Sequence, residues 1–153
     1  MAGAMPSRPI AKDHETAARL GAVRQKGTRA ELMVRHAVRA CGRHYRVNGS
    51  GLPGRPDLSN KGGRWVIFVH GCFWHHHAGC KRATTPKHNR DFWVTKFLVN
   101  QQRDERVSEV LEAKGYRTLV VWECETSDAP GLTARLGSFF GSMPDQARAK
   151  RGA

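Results

Sequence analysis

The chain has 153 residues, which suffice for one domain with a hydrophobic core but not for two domains of ordinary size. Lysine and arginine total 26 against 13 aspartate and glutamate residues, so the formal net charge is +13 and the leading candidate partner is nucleic acid. The sequence has neither an apolar run of about 18 residues nor the apolar stretch of a signal peptide near its start, so we expect a cytoplasmic protein without a membrane segment.

The first third of the chain is predicted to be helical after a flexible N-terminal arm, residues 1–13. A short helix over residues 14–26 would offer basic side chains to DNA phosphates. These are Arg19, Arg24 and Lys26. A second helix begins at Thr28, because Thr28 and Glu31 have the S/T-x-x-E spacing of a capping box, and it ends at Gly42.

The next segments predict strands separated by turns. Residues 44–48 (HYRVN) have the composition of a strand, and residues 49–56 (GSGLPGRP) are dense in turn-forming residues. After a turn at residues 60–63, the run WVIFV places five apolar residues before His70, which is typical of a central strand covered on both faces.

The second half of the chain predicts a helix, a strand and a final helix. The helical pattern runs from about Asn89 to Gly115, with a break expected near residues 100–102. Residues 116–124 (YRTLVVWEC) have the continuous apolar centre of a buried strand. Residues 131–143 form the last predicted helix.

The order helix, strand, strand, helix, strand predicts an α/β fold. We expect one mixed central sheet flanked by helices, in a single domain over residues 14–143. Residues 144–153 are basic and without apolar periodicity, so they are predicted to form a disordered tail.

The ten residues GCFWHHHAGC, at positions 71–80, concentrate histidine and cysteine side chains. Three histidines in a row fit no amphipathic period, so a chemical role is favoured over burial in the core. Cys72 and Cys80, together with Cys124, supply three thiolates, and one of the three histidines would complete a tetrahedral zinc site. Cys124 is predicted to end a strand beside the strand that ends at His70, which would bring these ligands together. The alternative is three unrelated reduced cysteines.

Asp57 and His70 suggest a second site. Asp57 follows a turn and His70 ends a buried strand, so in a hairpin the two would face each other across one edge of the sheet. A carboxylate there can hold Mg²⁺ against a phosphate, and a histidine can activate water. The alternative is a turn aspartate and a half-exposed histidine without a chemical role.

Five motifs resemble, in order and spacing, the very short patch repair (Vsr) DNA mismatch endonucleases. They are LPGRPD (52–57), VIFVHGCFWHHH (66–77), DFW (91–93), the Arg-Asp pair at 103–104, and VVWEC (120–124). The resemblance implies a restriction-endonuclease-like core that nicks double-stranded DNA 5′ to the thymine of a T:G mismatch, the product of 5-methylcytosine deamination. It also implies catalytic Mg²⁺, structural Zn²⁺, a functional link to a cytosine-5 DNA methyltransferase, mismatch-repair proteins as partners, and a bacterial, nucleoid-associated location. Nicking needs one active site, so we expect a monomer.

The resemblance also assigns the catalytic residues. The metal-binding aspartate falls on Asp57 and the two active-site histidines fall on His70 and His75, while the remaining acidic residues fall on Asp104 and Glu31. We expect His75 to be the general base, His70 to contact the scissile phosphate or the water near the metal, and Asp104 to orient one of them. The two histidine roles can be exchanged. The capping box alone would also explain Glu31.

The resemblance extends to the metal ligands. The second metal-binding carboxylate of the wider nuclease superfamily is missing, and the resemblance implies that the backbone carbonyl of Val69 and ordered waters take its place around Mg²⁺. The implied zinc ligands are Cys72, His77, Cys80 and Cys124. This chain has one residue more than the family commonly has before the second loop cysteine, so His76 is an alternative zinc ligand.

Three aromatic residues are implied to read the mismatch. Phe73, Trp74 and Trp93 would form a wedge that enters the DNA from the major groove, where a wobble pair is easiest to unstack. The alternative is that they are core residues. Residues 81–90 (KRATTPKHNR) share little with the family, so the bases preferred around the mismatch stay open.

Other functions are weighed against this one. A Vsr-like nuclease of different mismatch, modified-base or sequence specificity is the nearest alternative. A zinc-containing DNA-binding module without catalysis would explain the charge and the aromatic residues but not the coincidence of the two histidines with two aspartates. A zinc hydrolase of non-nucleic substrates is disfavoured by the charge and by a zinc site with four protein ligands.

Overall fold

The computed structural model describes residues 26–49, 51–141 and 143. In chain order these residues form helix α1 (Arg29–Ala40), strands β1 (Arg46–Val47), β2 (Leu58–Asn60) and β3 (Trp65–His70), helix α2 (Arg90–Ala113), strand β4 (Arg117–Trp122), a 3₁₀ helix (Glu123–Ser127) and helix α3 (Ala129–Gly141). The predicted arm, nearly all of the predicted helix at 14–26 with Arg19 and Arg24, and the predicted tail lie outside the described residues. Lys26 is described and exposed.

The four strands form one mixed sheet in the order β1-β2-β3-β4. The pairs β1–β2 and β2–β3 are antiparallel, whereas β3 and β4 run parallel, with His70 opposite Trp122. A parallel pair needs a long crossover, and α2 supplies it. This arrangement confirms the predicted α/β fold with a mixed sheet and flanking helices.

Side chains of β3 alternate between two cores. Trp65 and Ile67 are fully buried on one face, in the cluster that includes residues of α1 and α3. Val66 and Phe68 are buried on the other face, against Leu111 of α2. His70 continues the second series, so the strand delivers this histidine to the face that α2 covers.

The ends of α1 follow the sequence prediction in part. The Thr28 hydroxyl accepts a hydrogen bond from the Glu31 N–H at 3.2 Å, and Gly42, with φ +72°, follows the helix. The reciprocal half of the capping box is different, because the Glu31 carboxylate accepts from the N–H of Gly27 at 2.8 Å instead of that of Thr28.

Other predictions of local structure were wrong. Helix α2 runs without the break expected near residues 100–102, and β1 keeps only two of the five residues predicted for it. Strand β2 was not predicted. Cys124 does not end a strand, because β4 stops at Trp122 and Cys124 lies in the 3₁₀ helix. Among the described residues, no helix is long and apolar enough to cross a membrane.

Replacing Leu136 by alanine should destabilise the protein. Leu136 is fully buried on α3, so the change leaves a cavity and should lower the free energy of unfolding by about 3 kcal/mol. Leu98→Ala on α2 is the control, since Leu98 is 53% exposed and its loss should change stability by about 0.5 kcal/mol or less. Urea unfolding of both variants checks this, and equal effects would contradict the packing described here.

Candidate functional site

The candidate active site lies at one edge of the sheet, where β2 begins and β3 and β4 end. Because β2 and β3 are antiparallel, the residue before β2 comes close to the end of β3. There the Asp57 carboxylate accepts a hydrogen bond from the backbone N–H of Val69 at 2.7 Å. Asp57, Val69 and His70 are therefore brought together, as the sequence predicted for a hairpin.

The surroundings of the Asp57 carboxyl group disfavour its charged form. Burial raises its pKa to about 6, and the negative charge of Glu31 acts in the same direction. The Val69 N–H and the positive charge of Arg35 oppose this shift. A half-buried carboxylate of this kind gains from a nearby cation.

Glu31 and Arg35 form an ion pair on α1 beside Asp57. The Glu31 side chain is 6% exposed, and its carboxylate lies 3.4 Å from the Arg35 guanidinium as well as accepting from Gly27. Within the described residues, the buried Nε of Arg35 has no hydrogen-bond partner. Glu31 thus lies close enough to Asp57 to act on its charge, while its oxygen is engaged in structural contacts.

Two histidines and an aspartate form a compact group. The rings of His70 and His75 are stacked, with centroids 3.8 Å apart and an interplanar angle of 4°. The Nδ1 atom of His75 lies 2.5 Å from Oδ2 of Asp104, which projects from the middle of α2. Potential ligand atoms of the three residues lie within 4.8 Å of one another.

The electrostatics of this group separate the roles of the two histidines. Burial, followed by the charge of His75, lowers the pKa of His70 to about 4, so His70 is neutral near pH 7. Burial favours the neutral form of Asp104, but its hydrogen bond with His75 and the charge of that ring hold its pKa below the ordinary value. His75 is hydrogen-bonded through Nδ1, so its Nε2 atom is the one available to a substrate or to water.

The predicted zinc ligands also converge. Potential ligand atoms of Cys72, His77, Cys80 and Cys124 lie within 4.8 Å of one another. The His77 Nδ1 atom is 3.8 Å from the Cys72 sulfur and 3.5 Å from the Cys124 sulfur. Tetrahedral zinc with bonds of about 2.0–2.3 Å places its ligand atoms about 3.5–4 Å apart. Burial raises the pKa of the Cys72 thiol to about 12, so a thiolate there needs a cation beside it.

His76 lies apart from this cluster. Its ring stacks on Phe97 of α2, with centroids 4.5 Å apart, and its buried Nδ1 has no hydrogen-bond partner among the described residues. The geometry therefore favours His77 over His76 as the histidine of the metal cluster. The segment before Cys80 turns at Gly79, which has φ +72°.

Contacts around the 3₁₀ helix hold Cys124 in place. The Glu125 carboxylate accepts from the backbone N–H of Trp122 at 2.7 Å and forms an ion pair with Arg135 of α3. Trp122 in turn stacks on His77, with ring centroids 4.1 Å apart, and lies edge-on to His70. The Trp122 ring thus contacts both the metal cluster and the histidine–aspartate group.

The three predicted wedge residues contact one another. The Phe73 ring lies 5.1 Å from that of Trp74 and 5.4 Å from that of Trp93, measured between centroids. Phe73 and Trp74 are half-buried, whereas Trp93 is only 9% exposed and also packs on Phe97. In this conformation the buried Trp93 ring packs against the rings of Phe73 and Trp74.

Sequence reasoning missed four residues near the site. They are Arg35, Asn100, Trp122 and Glu125. Arg35 could have been found, because it lies four residues after Glu31 on a predicted helix, the spacing of an ion pair. Asn100 and Trp122 gave no signal, since their contacts join segments distant in sequence; Asn100, for example, donates to the Trp74 carbonyl at 2.9 Å. The contact of Glu125 with the Trp122 N–H is local, but its ion pair with Arg135 joins two separate helices.

Comparisons with known proteins identify the family. A family model described as DNA mismatch endonuclease Vsr matches residues 11–82. The chain is 46% identical over 114 residues to the type II nicking enzyme V.XorIIP of Xanthomonas oryzae pv. oryzae, covering 74% of this chain and 83% of that enzyme. It is 37% identical over 127 residues to the DNA mismatch endonuclease Vsr of Escherichia coli, covering 81% of each chain, and 35% identical over 123 residues to the type II nicking enzyme V.NmeAIP of Neisseria meningitidis, covering 80% of this chain and 87% of that enzyme. The chain therefore belongs to the Vsr family of DNA mismatch endonucleases.

Proposed function

We propose that this endonuclease uses Mg²⁺ to nick double-stranded DNA 5′ to the thymine of a T:G mismatch. The observation that carries the proposal is that Asp57 accepts from the backbone of Val69, the neighbour of His70, while His70, His75 and Asp104 form one group where β3 ends. A DNA-binding module has no use for a half-buried carboxylate at the end of the strand that carries His70, nor for a hydrogen-bonded histidine–aspartate pair stacked on that histidine. The net charge of +13 suits a polyanionic substrate.

Asp57 is suited to hold Mg²⁺. Its carboxylate is a hard oxygen ligand whose charge burial disfavours, and the Val69 backbone lies against it as a source of a carbonyl ligand. When bound, Mg²⁺ would stabilise the negative charge that develops on the phosphoryl oxygens. Glu31 and Arg35 would adjust the charge around Asp57.

His75 is proposed as the general base. Its Nδ1 atom is engaged by Asp104, which fixes the ring and stabilises a positive charge on it, so that Nε2 can take the proton from the attacking water. His70 is buried against the same ring and stays neutral, which suits a hydrogen-bonding contact with the scissile phosphate better than a role as base.

Zinc is proposed as a structural ion held by Cys72, His77, Cys80 and Cys124. Three thiols and an imidazole are the donor set of structural zinc sites, and their spacing suits a tetrahedron. His77 lies two residues after His75, so zinc would hold the segment that carries the general base.

The aromatic group is proposed to read the mismatch. Phe73 and Trp74, which are half-buried, would enter the duplex, and Trp93 would support them. Unstacking costs a few kcal/mol per step and is least costly where pairing is already imperfect. The exposed Lys26, with Arg19 and Arg24, would add phosphate contacts.

The sequence context of the mismatch is the part of the proposal with a second candidate. Two of the relatives described above are named type II nicking enzymes. This name favours a second reading, in which the enzyme nicks at a different mismatch or in a different sequence context. Under either reading we propose a monomer that serves the site of a cytosine-5 DNA methyltransferase, with mismatch-repair proteins as further partners.

Asp57→Asn should abolish nicking without loss of stability. The amide keeps an oxygen for the Val69 N–H but loses the charge that binds Mg²⁺, so the nicking rate should fall by about 10³-fold. The melting temperature should not fall, because a buried charge is removed. A labelled T:G duplex with Mg²⁺ or EDTA checks the rate. Full activity of the variant, or of the wild type in EDTA, would contradict the proposal.

His75→Ala should lower the single-turnover nicking rate by about 10²–10⁴-fold, as expected for loss of a general base. Asp104→Asn should lower it less, by about 10–100-fold, because the base loses only its orienting partner. Glu109→Gln is the matched control, because it also removes one negative charge from α2 but at an exposed position. It should leave the rate unaltered. If Asp104→Asn behaved like the control, Asp104 would have no part in the reaction.

Cys124→Ser should remove zinc from the purified protein and lower the melting temperature, because one of four ligands is lost. Nicking should fall with it, since the His75 segment is released. Cys41→Ala is the control: Cys41 lies outside the metal cluster and packs against the core formed with α1 and α3, so this variant should keep one zinc per chain. Elemental analysis measures the content, and an unchanged zinc content in Cys124→Ser would refute the ligand set.

A further inference from the structure

The loop that leads to Asp57 contains a tight turn. The N–H of Arg55 donates to the Leu52 carbonyl at 3.2 Å, with Pro53 and Gly54 as the central residues, and Gly54 has φ +71°. Proline followed by a residue of positive φ is the combination that a type II turn requires. The turn presents the backbone of Gly54, and not a side chain, to its neighbours.

Gly54 lies against α2 without room for a side chain. A Cβ atom at this position would overlap Cγ1 of Val107, would lie 3.1 Å from its Cγ2, and would lie 3.3 Å from the Phe68 ring. Val107 packs in the same small cluster as Phe68 and Leu111. Because a β-branched side chain in a helix strongly prefers one χ1 rotamer, moving the Val107 methyl groups out of this space is costly.

The three residues in this contact belong to the three elements that carry the candidate active site. Gly54 lies three residues before Asp57. Val107 lies about one helical turn after Asp104 on α2. Phe68 lies two residues before His70 on the same face of β3, with their ring centroids 6.0 Å apart. The contact thus joins the loop of the metal-binding carboxylate to the helix that orients the general base.

We propose that Gly54 and Val107 are positioning residues, whose direct contact sets the distance between Asp57 and the His75–Asp104 pair. The inference rests on the proposed function, because it assigns the two residues a part in the same reaction. Asp57 and His75 must act on one phosphate, and displacement of a catalytic group by about 1 Å can lower a rate by about 100-fold. A side chain at position 54 would push the Asp57 loop away from α2.

Gly54→Ala tests this inference, with Gly51→Ala as the matched control. Gly51 also has positive φ, +82°, but a Cβ there would meet only Lys61 Nζ at 3.9 Å, so the control introduces the backbone strain without the clash. Gly54→Ala should lower the single-turnover nicking rate by about 10–100-fold and raise the Mg²⁺ concentration needed for half-maximal rate. Gly51→Ala should keep the wild-type rate and Mg²⁺ dependence. All rates are measured well below the melting temperature of the least stable variant.

The double variant Gly54→Ala/Val107→Ala separates positioning from simple destabilisation. Truncating Val107 removes the methyl groups that clash, so the nicking rate and the Mg²⁺ dependence should return most of the way to those of Val107→Ala, although the cavity lowers the melting temperature further. A rescue of rate without a rescue of stability is not expected for a purely structural glycine.

Two results would overturn the inference: equal loss of rate in Gly54→Ala and Gly51→Ala, or no recovery in the double variant. Failure of the proposed function is recognised separately, since it would appear in the wild type as no Mg²⁺-dependent nick at T:G. In that case the nicking rates of Gly54→Ala, Gly51→Ala, Val107→Ala and the double variant are compared on the duplex and with the divalent ion with which the wild type is active. The same two results would then overturn the inference.

Discussion

The parallel pairing of β3 and β4 is the constraint on which the site depends. It brings His70, the last residue of β3, beside Trp122, the last residue of β4. The chain that leaves β3 and the chain that leaves β4 therefore start from neighbouring points, and each delivers cysteine ligands to one cluster. The crossover between the two strands is α2, which covers the face of the sheet that carries His70 and supplies Asp104. The positions of the metal cluster, the two histidines and Asp104 all follow from this parallel pairing and its crossover helix.

The three consecutive histidines have three different environments because they lie on a tight turn. The N–H groups of His75 and His76 bond back to the carbonyls of Gly71 and Phe73 at 3.1 and 3.2 Å. His76 has φ +49°, in the left-handed region, so the backbone changes direction between His75 and His77. His75 accordingly meets Asp104, His76 lies on Phe97, and His77 faces the cysteines. A single short segment thus connects the cysteine–histidine cluster to the hydrogen-bonded His75–Asp104 pair.

Much of the fold followed from local signals, and the errors came from contacts between distant segments. Continuous apolar runs and capping residues identified β3, β4 and α1. Strand β2 has three residues and exists through its pairing, which no local pattern reveals. The polar residues near position 100 suggested a break in α2. The helix is continuous there, and the Asn100 side chain instead donates a hydrogen bond to the Trp74 carbonyl. Cys124 is the exception, because the contact there is local: the Glu125 carboxylate accepts from the Trp122 N–H three residues earlier, where the strand ends and the 3₁₀ helix begins.

In the candidate site, too, local motifs identified some residues, while contacts between distant segments could not be predicted. Motif resemblance brought Asp57, His70, His75 and Asp104 to attention, and the structure places them together at one edge of the sheet. Neither the choice between His76 and His77 nor the ion pair of Arg135 with Glu125, the neighbour of Cys124, could be derived from spacing, because the first depends on how α2 packs and the second on how α3 packs. The alternative that the aromatic residues belong to the core holds in part, since Trp93 is buried whereas Phe73 and Trp74 are half-buried.

The most direct test compares single-turnover nicking of duplexes that differ at one base pair, T:G against C:G and T:A, in several cytosine methyltransferase contexts with Mg²⁺. The expected result is a single nick 5′ to the mismatched thymine, at least 100-fold faster than on either paired duplex, which is about 2.7 kcal/mol of discrimination. Equal cleavage of all three duplexes in every context would contradict mismatch recognition. Tight binding without any nick would contradict the catalytic assignment.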